Sequence, residues 1–474
     1  MSNTRRGETG SRRRWTCVLA MTSVCLALAA SFQAEPGSAR VIAPNPSSLP
    51  NVLLIVVDDQ GKDTQHAMPN LLNRVAAKGV TFSNGIAPTA LCCPSRSALL
   101  TGNHSHTTGV WGNDPASLGG WPALHPHESQ TIATALDAAG YHTGLFGKYV
   151  NAFHKLRPPG YIPPGWDTFR AILGANGGDG AYYDYRLTGL RKLFGAEPLD
   201  YSTDVTGRLA VRHIQNTPAG TPWFIYYSPF GVHSPMTPAP RHEGTWPLEP
   251  ASAIGAFNER RVSDKPPWIQ KLPLADKRVM RARLTRQHEA VRSIDEQLGD
   301  LLDAANLSKT LVIYLSDNGL MLGAHRITGK DVPYRRATEV PMYVRWDGVT
   351  SPGTIKSRVT PQIDLTALIA DAARVPWTME GHNALTTRRA GSVVEQIRMT
   401  RSYANHPAYC GWRSRRYLYV AYDTGEGREF YDYKRDPDEL VNVINVRGYA
   451  DRVARHRAHA KASCSPEPPG FNWH

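Results

Sequence analysis

Apolar runs without alternation mark the strands of this chain. Val52-Leu53-Leu54-Ile55-Val56-Val57 is apolar at every position and stops at Asp58-Asp59. A strand with one wet face alternates, so a continuous run predicts a strand covered on both faces, as in a parallel sheet. Trp223-Phe224-Ile225-Tyr226-Tyr227 has the same character, as does the run over 310–315 that ends in Ser316-Asp317-Asn318. Val80-Thr81-Phe82 and Tyr141-His142-Thr143-Gly144-Leu145-Phe146 predict two further strands. Residues 68–79, 131–140 and 279–304 carry apolar positions at helical spacing, and the first two stretches end in glycine.

This alternation of strand and helix predicts an α/β domain over 51–375, a large mostly parallel central sheet flanked by helices. The stretch 157–185 is rich in Pro, Gly and Tyr and reads as a long loop able to wall a cleft. Residues 241–275 read as an irregular insertion. Beyond 375 the pattern changes. Residues 416–422 and 429–433 predict short strands joined by a hairpin through Thr424-Gly425-Glu426-Gly427, so 376–474 is expected to form a small C-terminal α+β domain.

Composition adds constraints at the N-terminus. The 474 residues include 41% hydrophobic and 20% charged positions, ordinary for a globular protein, with a net charge of +13. Several of those charges, Arg5, Arg6, Arg12, Arg13 and Arg14, precede an apolar run from Cys17 to Ala30 and small residues ending at Ala34. Together they predict a cleaved export signal over 1–34, with paired arginines similar to a twin-arginine signal. The run is short of the roughly 20 residues a membrane span requires, with an uncleaved anchor as the alternative. No nucleic-acid-binding motif or concentrated basic helix is present. Residues 35–50, rich in Pro and Ser, read as a linker. Outside the cytosol, Cys410 and Cys464 are candidates for a disulfide, with two buried thiols as the alternative.

The chemistry-bearing residues sit at predicted strand ends, where α/β sheets bind ligands. Adjacent carboxylates such as Asp58 and Asp59 repel unless a cation balances them. With Asp317 and Asn318 they offer a set of hard oxygen ligands for Ca²⁺ or Mg²⁺. Cys92-Cys93-Pro94-Ser95-Arg96-Ser97-Ala98-Leu99-Leu100-Thr101-Gly102 places a cysteine at the start of a helix, whose N-terminus favours an anion. Read from the residues alone, Cys92 can be a catalytic thiolate with a histidine partner.

That eleven-residue stretch resembles the signature C-x-P-S-R-x-x-x-L-T-G of the formylglycine-dependent sulfatases. The resemblance implies that Cys92 is oxidised to formylglycine (3-oxoalanine) by a formylglycine-generating enzyme, whose hydrate is the nucleophile. It implies that Arg96 orients that group, and that Asp58, Asp59, Asp317, Asn318 and the modified Cys92 ligate Ca²⁺, with Mg²⁺ the lesser option. Gly147-Lys148-Tyr149-Val150-Asn151 is similar to the family segment whose lysine contacts sulfate. Many members carry a histidine where this chain has Val150. Asn151 and Tyr161-Ile162-Pro163-Pro164-Gly165-Trp166 resemble the N-acetylglucosamine-6-sulfatase and heparan endosulfatase branch. His233-Ser234-Pro235 is similar to the family's H-x-P segment, whose histidine contacts sulfate and protonates the leaving oxygen. His325 and Gly329-Lys330 resemble a further substrate-binding stretch. Tyr334-Arg335-Arg336 departs from the family's charge order, so no substrate contact is carried over there.

The resemblance runs from about Asn51 to Val443 and implies the alkaline-phosphatase-like sulfatase fold. It implies an enzyme that hydrolyses a sulfate ester of a carbohydrate, such as a 6-sulfated N-acetylglucosamine, and the export signal places it as secreted or in the cell envelope. Two alternatives stay open: a phosphonate or phosphate monoester hydrolase of the same fold, and a catalytically silent protein that binds sulfated glycans.

Overall fold

The computed structural model describes residues 49–174, 177–400, 405–425 and 427–473. The expected signal over 1–34, with Cys17 and Cys25, and the linker up to residue 48 lie outside the described residues.

Ten strands form one sheet. In chain order they are β1 (Asn51–Val57), β2 (Val80–Ile86), β3 (His142–Gly147), β4 (Thr168–Gly174) and β5 (Tyr185–Leu187), followed by β6 (Leu193–Phe194), β7 (Trp223–Ser228), β8 (Thr310–Ser316), β9 (Met342–Trp346) and β10 (Thr354–Pro361). Their spatial order is β10-β2-β9-β8-β1-β7-β3-β4-β5-β6. From β8 through β4 all neighbours run parallel, whereas β9 pairs antiparallel with β2 and β8, as β5 does with β4 and β6.

The central position of β1 explains its unbroken apolar run. Leu53, Ile55 and Val57 face a layer containing Ala210 of α3 (Ser202–Asn216) and Ala290, Val291, Ile294 and Leu298 of α4 (Lys277–Ala304). Val52, Leu54 and Val56 face the opposite layer. There Leu99 and Leu100 of α1 (Cys92–Thr101), Ile132 and Leu136 of α2 (Ile132–Ala138) and Leu365, Leu368 and Ile369 of α5 (Ile363–Ala372) cover them. Each fully covered aliphatic side chain contributes about 1.5–3 kcal/mol of transfer free energy.

Register then aligns the strand ends. Val57 of β1 is level with Ser316 of β8, and Gly147 of β3 with Ser228 of β7. Asp58, Asp317, Ser228 and Lys148 therefore leave the sheet at one edge. Gly147 is required there: its φ is +122°, and a Cβ would stand 1.8 Å from the Ser228 carbonyl.

Two sequence expectations need adjustment. The stretch 157–185 holds β4, which adds to the sheet beside β3; flanking Pro, Gly and Tyr hide its short apolar core. The helix over 68–79 is widened at Leu71–Ala76, where the Ala77 N–H donates to the Leu72 carbonyl five residues back.

After residue 376 come four antiparallel strands, β11 (Gly391–Gln396), β12 (Tyr409–Ser414), β13 (Tyr417–Tyr422) and β14 (Arg428–Asp432), and then α6 (Ala450–Ser463). A disulfide joins Cys410 of β12 to Cys464 at the end of α6. Val394, Tyr409, Leu418 and Val420 share an apolar cluster with Ala90, Leu320, Met321 and Ile327 of the main body. Among the described residues no helix is long and apolar enough to cross a membrane.

Candidate active site

Local backbone geometry brings the predicted residues together. Successive side chains on a strand point to opposite faces, so Asp58 and Asp59 reach one site only if the chain turns between them. Asp59 makes that turn with φ +63°, in the left-handed region that Asp tolerates better than most residues. Its N–H donates to Asp317 Oδ1 at 3.1 Å, tying the ends of β1 and β8. Cys92 begins α1, and Pro94 occupies the first turn, where its missing N–H costs no helical bond. Gly102 closes the same helix at φ +74°, its N–H bonded to the Ala98 carbonyl.

Asp58, Asp59 and Asp317 each present an oxygen within 4.8 Å of the others, all buried. Three buried cations face them. Arg96 donates through Nε to Asp317 Oδ2 at 2.8 Å and through Nη1 to Ser228 Oγ at 2.5 Å, with Nη2 3.8 Å from Asp58. Lys148 Nζ donates to Asp58 Oδ2. Lys330 Nζ donates to Asp59 Oδ1 and to Cys92 Sγ, the latter at 2.7 Å. The Cys92 thiol lies 3.5 Å from Asp58 Oδ1.

Electrostatics follow from burial set against these partners. Burial works to raise the Asp58 carboxyl, but Lys148, His233, Arg96 and Lys330 prevail and hold it well below the usual carboxylate range. Asp317 is raised by burial and by the neighbouring Asp58 charge. Burial lowers Lys330, yet Asp59 and Cys92 leave its ammonium far above the ordinary value. Burial and Asp58 push the Cys92 thiol up to about 12.

His233 is the open side of the cluster, with its side chain 27% exposed. Its Nδ1 lies 2.8 Å from the Ser234 carbonyl, which places the N–H there and leaves Nε2 facing Asp59 Oδ2 at 3.9 Å. His233, Asp58 and Cys92 also bring one ligand atom each within 4.8 Å. A histidine therefore does stand beside Cys92.

The donor set fits a hard divalent cation. Three carboxylates converge, and among the described residues the buried Asn318 Oδ1 has no hydrogen-bond donor while its Nδ2 donates to Asp59 Oδ1 at 2.7 Å. Asp58, Asp59, Asp317 and Asn318 would hold the ion.

His325 does not join this cluster. It sits in a turn at φ +49°, its Nδ1 is 2.6 Å from Glu259 Oε2, and its ring packs on Tyr334 at 4.5 Å. Val150 is fully buried among apolar side chains and carries no proton.

Four supporting residues have no role assigned from sequence, although Ser95 is itself a fixed position of the signature string. Ser95 Oγ donates to the Asp317 carbonyl, and Gln362 Nε2 donates to the Ser95 carbonyl at 2.5 Å. Gln287 Nε2 of α4 donates to the Asp59 carbonyl at 3.1 Å, and Ser228 receives Arg96. Ser228 was within reach of the strand-end rule. Gln287, a polar residue among the buried positions of α4, carried a weaker signal.

Comparison with known proteins supplies the remaining step. The chain is 32% identical over 343 residues to an extracellular sulfatase Sulf-1 homolog of Caenorhabditis elegans, covering 69% of this chain and 47% of that one. It is 28% identical to the extracellular sulfatase SULF-1 homolog of Drosophila melanogaster, with 71% and 31% covered. The human N-acetylglucosamine-6-sulfatase is 27% identical, with 72% and 65% covered. The chain thus spans half or less of the length of the two Sulf-1 homologs. Among solved structures, a protein in complex with its substrate D-glucosamine-2-N,6-O-disulfate superposes with a TM-score of 0.71 at 21% identity, covering 88% of this chain and 98% of that one. The phosphonate monoester hydrolase of Agrobacterium radiobacter reaches 0.69 at 20% identity, with 88% and 96% covered. These neighbours share the fold, the alkaline-phosphatase-like one of the sulfatases. Residues 50–375 match the Sulfatase family model, and the chain belongs to the sulfatase family.

Proposed function

We propose that this chain is an exported sulfatase that hydrolyses a sulfate ester of a carbohydrate, an N-acetylglucosamine 6-sulfate-like group. In this reading a formylglycine-generating enzyme converts Cys92, and Ca²⁺ occupies the oxygen cluster. One observation carries it: Cys92 heads α1 in a buried pocket where three carboxylates and three fixed cations cancel. A divalent ion added to that balanced set leaves net positive charge, which suits an anionic ester.

The ion supplies Lewis-acid stabilisation of the sulfuryl oxygens. Oxidation of Cys92 supplies an aldehyde whose hydrate offers the attacking hydroxyl. This chain's own groups do the rest. Lys330 Nζ, 2.7 Å from Cys92 Sγ, and Lys148 Nζ, bound to Asp58, stand fixed where negative charge develops and need no reorganisation. Arg96, held by Asp317 and Ser228, locks the position of the residues around the helix start. With Nδ1–H given to the Ser234 carbonyl, His233 turns Nε2 towards the departing alcohol, and only its imidazolium form can deliver a proton from there. Its exposure puts it on the side from which substrate enters.

A phosphonate or phosphate monoester hydrolase is the second reading, favoured by the similar fit of the Agrobacterium enzyme. Purified protein, co-expressed with the maturation enzyme, is to be assayed on aryl sulfate, phosphate and phosphonate esters and on N-acetylglucosamine 6-sulfate. Faster turnover of sulfate esters, with sulfate released from the sugar, is the expected result; faster phosphonate cleavage sinks the proposal. Mass spectrometry of the Cys92 peptide should show a lighter, carbonyl-reactive species. A thiol alone would leave the silent glycan-binding reading.

A further inference from the structure

We propose that His66, Glu249 and His288 form a second metal site, for a Zn²⁺-type ion, distinct from the strand-end cluster. The three residues come from separate segments. His66 lies in the short helical turn Lys62–Ala67 after β1, Glu249 in the 241–275 insertion, and His288 in the middle of α4. One ligand atom from each lies within 4.8 Å of the other two.

The surroundings of His288 ask for a cation. Its Nδ1 is 2.9 Å from the Leu284 carbonyl and its Nε2 is 3.3 Å from the Asp63 carbonyl. A neutral imidazole has a single N–H, so one ring nitrogen would turn a lone pair towards an oxygen lone pair. A carboxylate oxygen of Glu249 stands 3.8 Å from Nδ1, which deepens the negative potential. A metal ion on that nitrogen resolves the opposition. The nearest Glu249 oxygen stands on the Nδ1 side of the ring, so with Nε2–H given to the Asp63 carbonyl, a backbone bond of the kind that fixes the tautomer of many metal-binding histidines, Nδ1 is the ligand atom.

The ligands are also oriented in advance. Trp246 stacks on the His288 ring at 4.8 Å with the planes 6° apart, and its Nε1 donates to Glu249 Oε1 at 2.8 Å. The Glu249 backbone is bonded to Thr285 and Arg281 of α4. His66 packs 4.7 Å from the His288 ring and is exposed, which leaves an approach for the ion. Two imidazoles and one carboxylate suit Zn²⁺, whereas the all-oxygen cluster at the strand ends suits Ca²⁺. The two sites therefore differ in the ion they select. A bound ion would cross-link the turn after β1, the insertion and α4.

The test uses the full chain, stripped with chelator, saturated with Ca²⁺ and titrated with Zn²⁺ by calorimetry. A parallel Co²⁺ titration reads the visible bands of a tetrahedral site. Wild type is expected to take up one more Zn²⁺ equivalent per chain than His66→Ala, a substitution at an exposed position that leaves the fold intact. Glu249→Gln should weaken that uptake at least about tenfold. Zn²⁺ should also raise the unfolding temperature of wild type and not of His66→Ala. Any Zn²⁺ that displaces Ca²⁺ affects all variants alike and drops out of the difference. Equal uptake with equal affinity in wild type and His66→Ala overturns the proposal.

Discussion

Two buried sets of carboxylates in this molecule are satisfied in opposite ways. At the strand ends, Asp58, Asp59 and Asp317 face Lys148, Lys330 and Arg96. Beneath the C-terminal sheet, Glu429 is equally buried but accepts from three tyrosine hydroxyls, Tyr422 at 2.7 Å, Tyr334 at 2.9 Å, and Tyr431. Hydroxyls complete a carboxylate without moving charge, so Glu429 glues a core. Cations hold Asp58 ionised and pair with Asp59 and Asp317, so the first set stays available to a metal and an anionic substrate. Burial alone therefore does not mark function; the identity of the partner does.

The sharpest break between the two sets is chemical. Cys92→Ala should lower sulfate-ester hydrolysis by a factor on the order of 10⁴ or more while the unfolding midpoint changes little. Turnover within tenfold of wild type would remove Cys92 from the reaction. Next in size is Arg96→Leu, which leaves Asp317 and Asp58 facing each other in the interior. Chemical denaturation should show a loss of about 3–5 kcal/mol, far more than any single change around Glu429. A loss below that of Glu429 substitutions would mean the strand-end charges are not held by their partners.

Much of the strand-end set is legible in sequence, because each residue follows an apolar run or sits in a dense motif. Asp58, Asp317 and Lys148 sit at strand ends, and Cys92 and Arg96 lie in a single eleven-residue string. Less visible is what tertiary contact alone creates. β4 is seven residues hidden in a Pro- and Gly-rich stretch, and it becomes a strand by pairing with β3. Gln362 and Gln287 reach the site from α-helical segments hundreds of residues from Cys92 or Asp59. For His325 the family-like string does not show what the fold adds: a turn at φ +49° and the contact with Glu259 that fix its ring.

A third carboxylate pair lies between the two extremes. His106 Nδ1 lies 2.8 Å from Glu395 of β11 and Nε2 3.1 Å from Glu380, clasping the main body to the C-terminal sheet. Burial opposes its charge, yet the two carboxylates raise the imidazolium to about 10. The folded value exceeds the unfolded one near 6.5, so this contribution is complete below about pH 6.5 and is lost as pH rises through about 10. Urea unfolding of wild type and His106→Gln should therefore differ most near pH 6, with the gap closing towards pH 10. A constant gap would show that the clasp works without charge.

The smallest effect tests the tyrosine-bound end of the comparison. Burial raises Glu429 above the ordinary 4.5 against the opposing effects of its tyrosine partners and of the more distant Lys265 charge. A carboxyl raised in the folded state stabilises below 4.5 and loses that contribution as pH rises through its folded value. Asp58, held far below 3.8, has the opposite sign: its contribution is present above 3.8 and is lost only as pH falls below that. Glu429→Gln keeps an acceptor for the hydroxyls and removes the ionisation. Its stability should stay within about 1.5 kcal/mol of wild type, with turnover unchanged, and should gain on wild type as pH rises above the ordinary 4.5. If the two proteins keep the same difference across that rise, Glu429 ionises no differently in the core than in the unfolded chain. Tyrosines would then balance a buried carboxylate as well as lysines do, and the contrast with the strand-end cluster would fail.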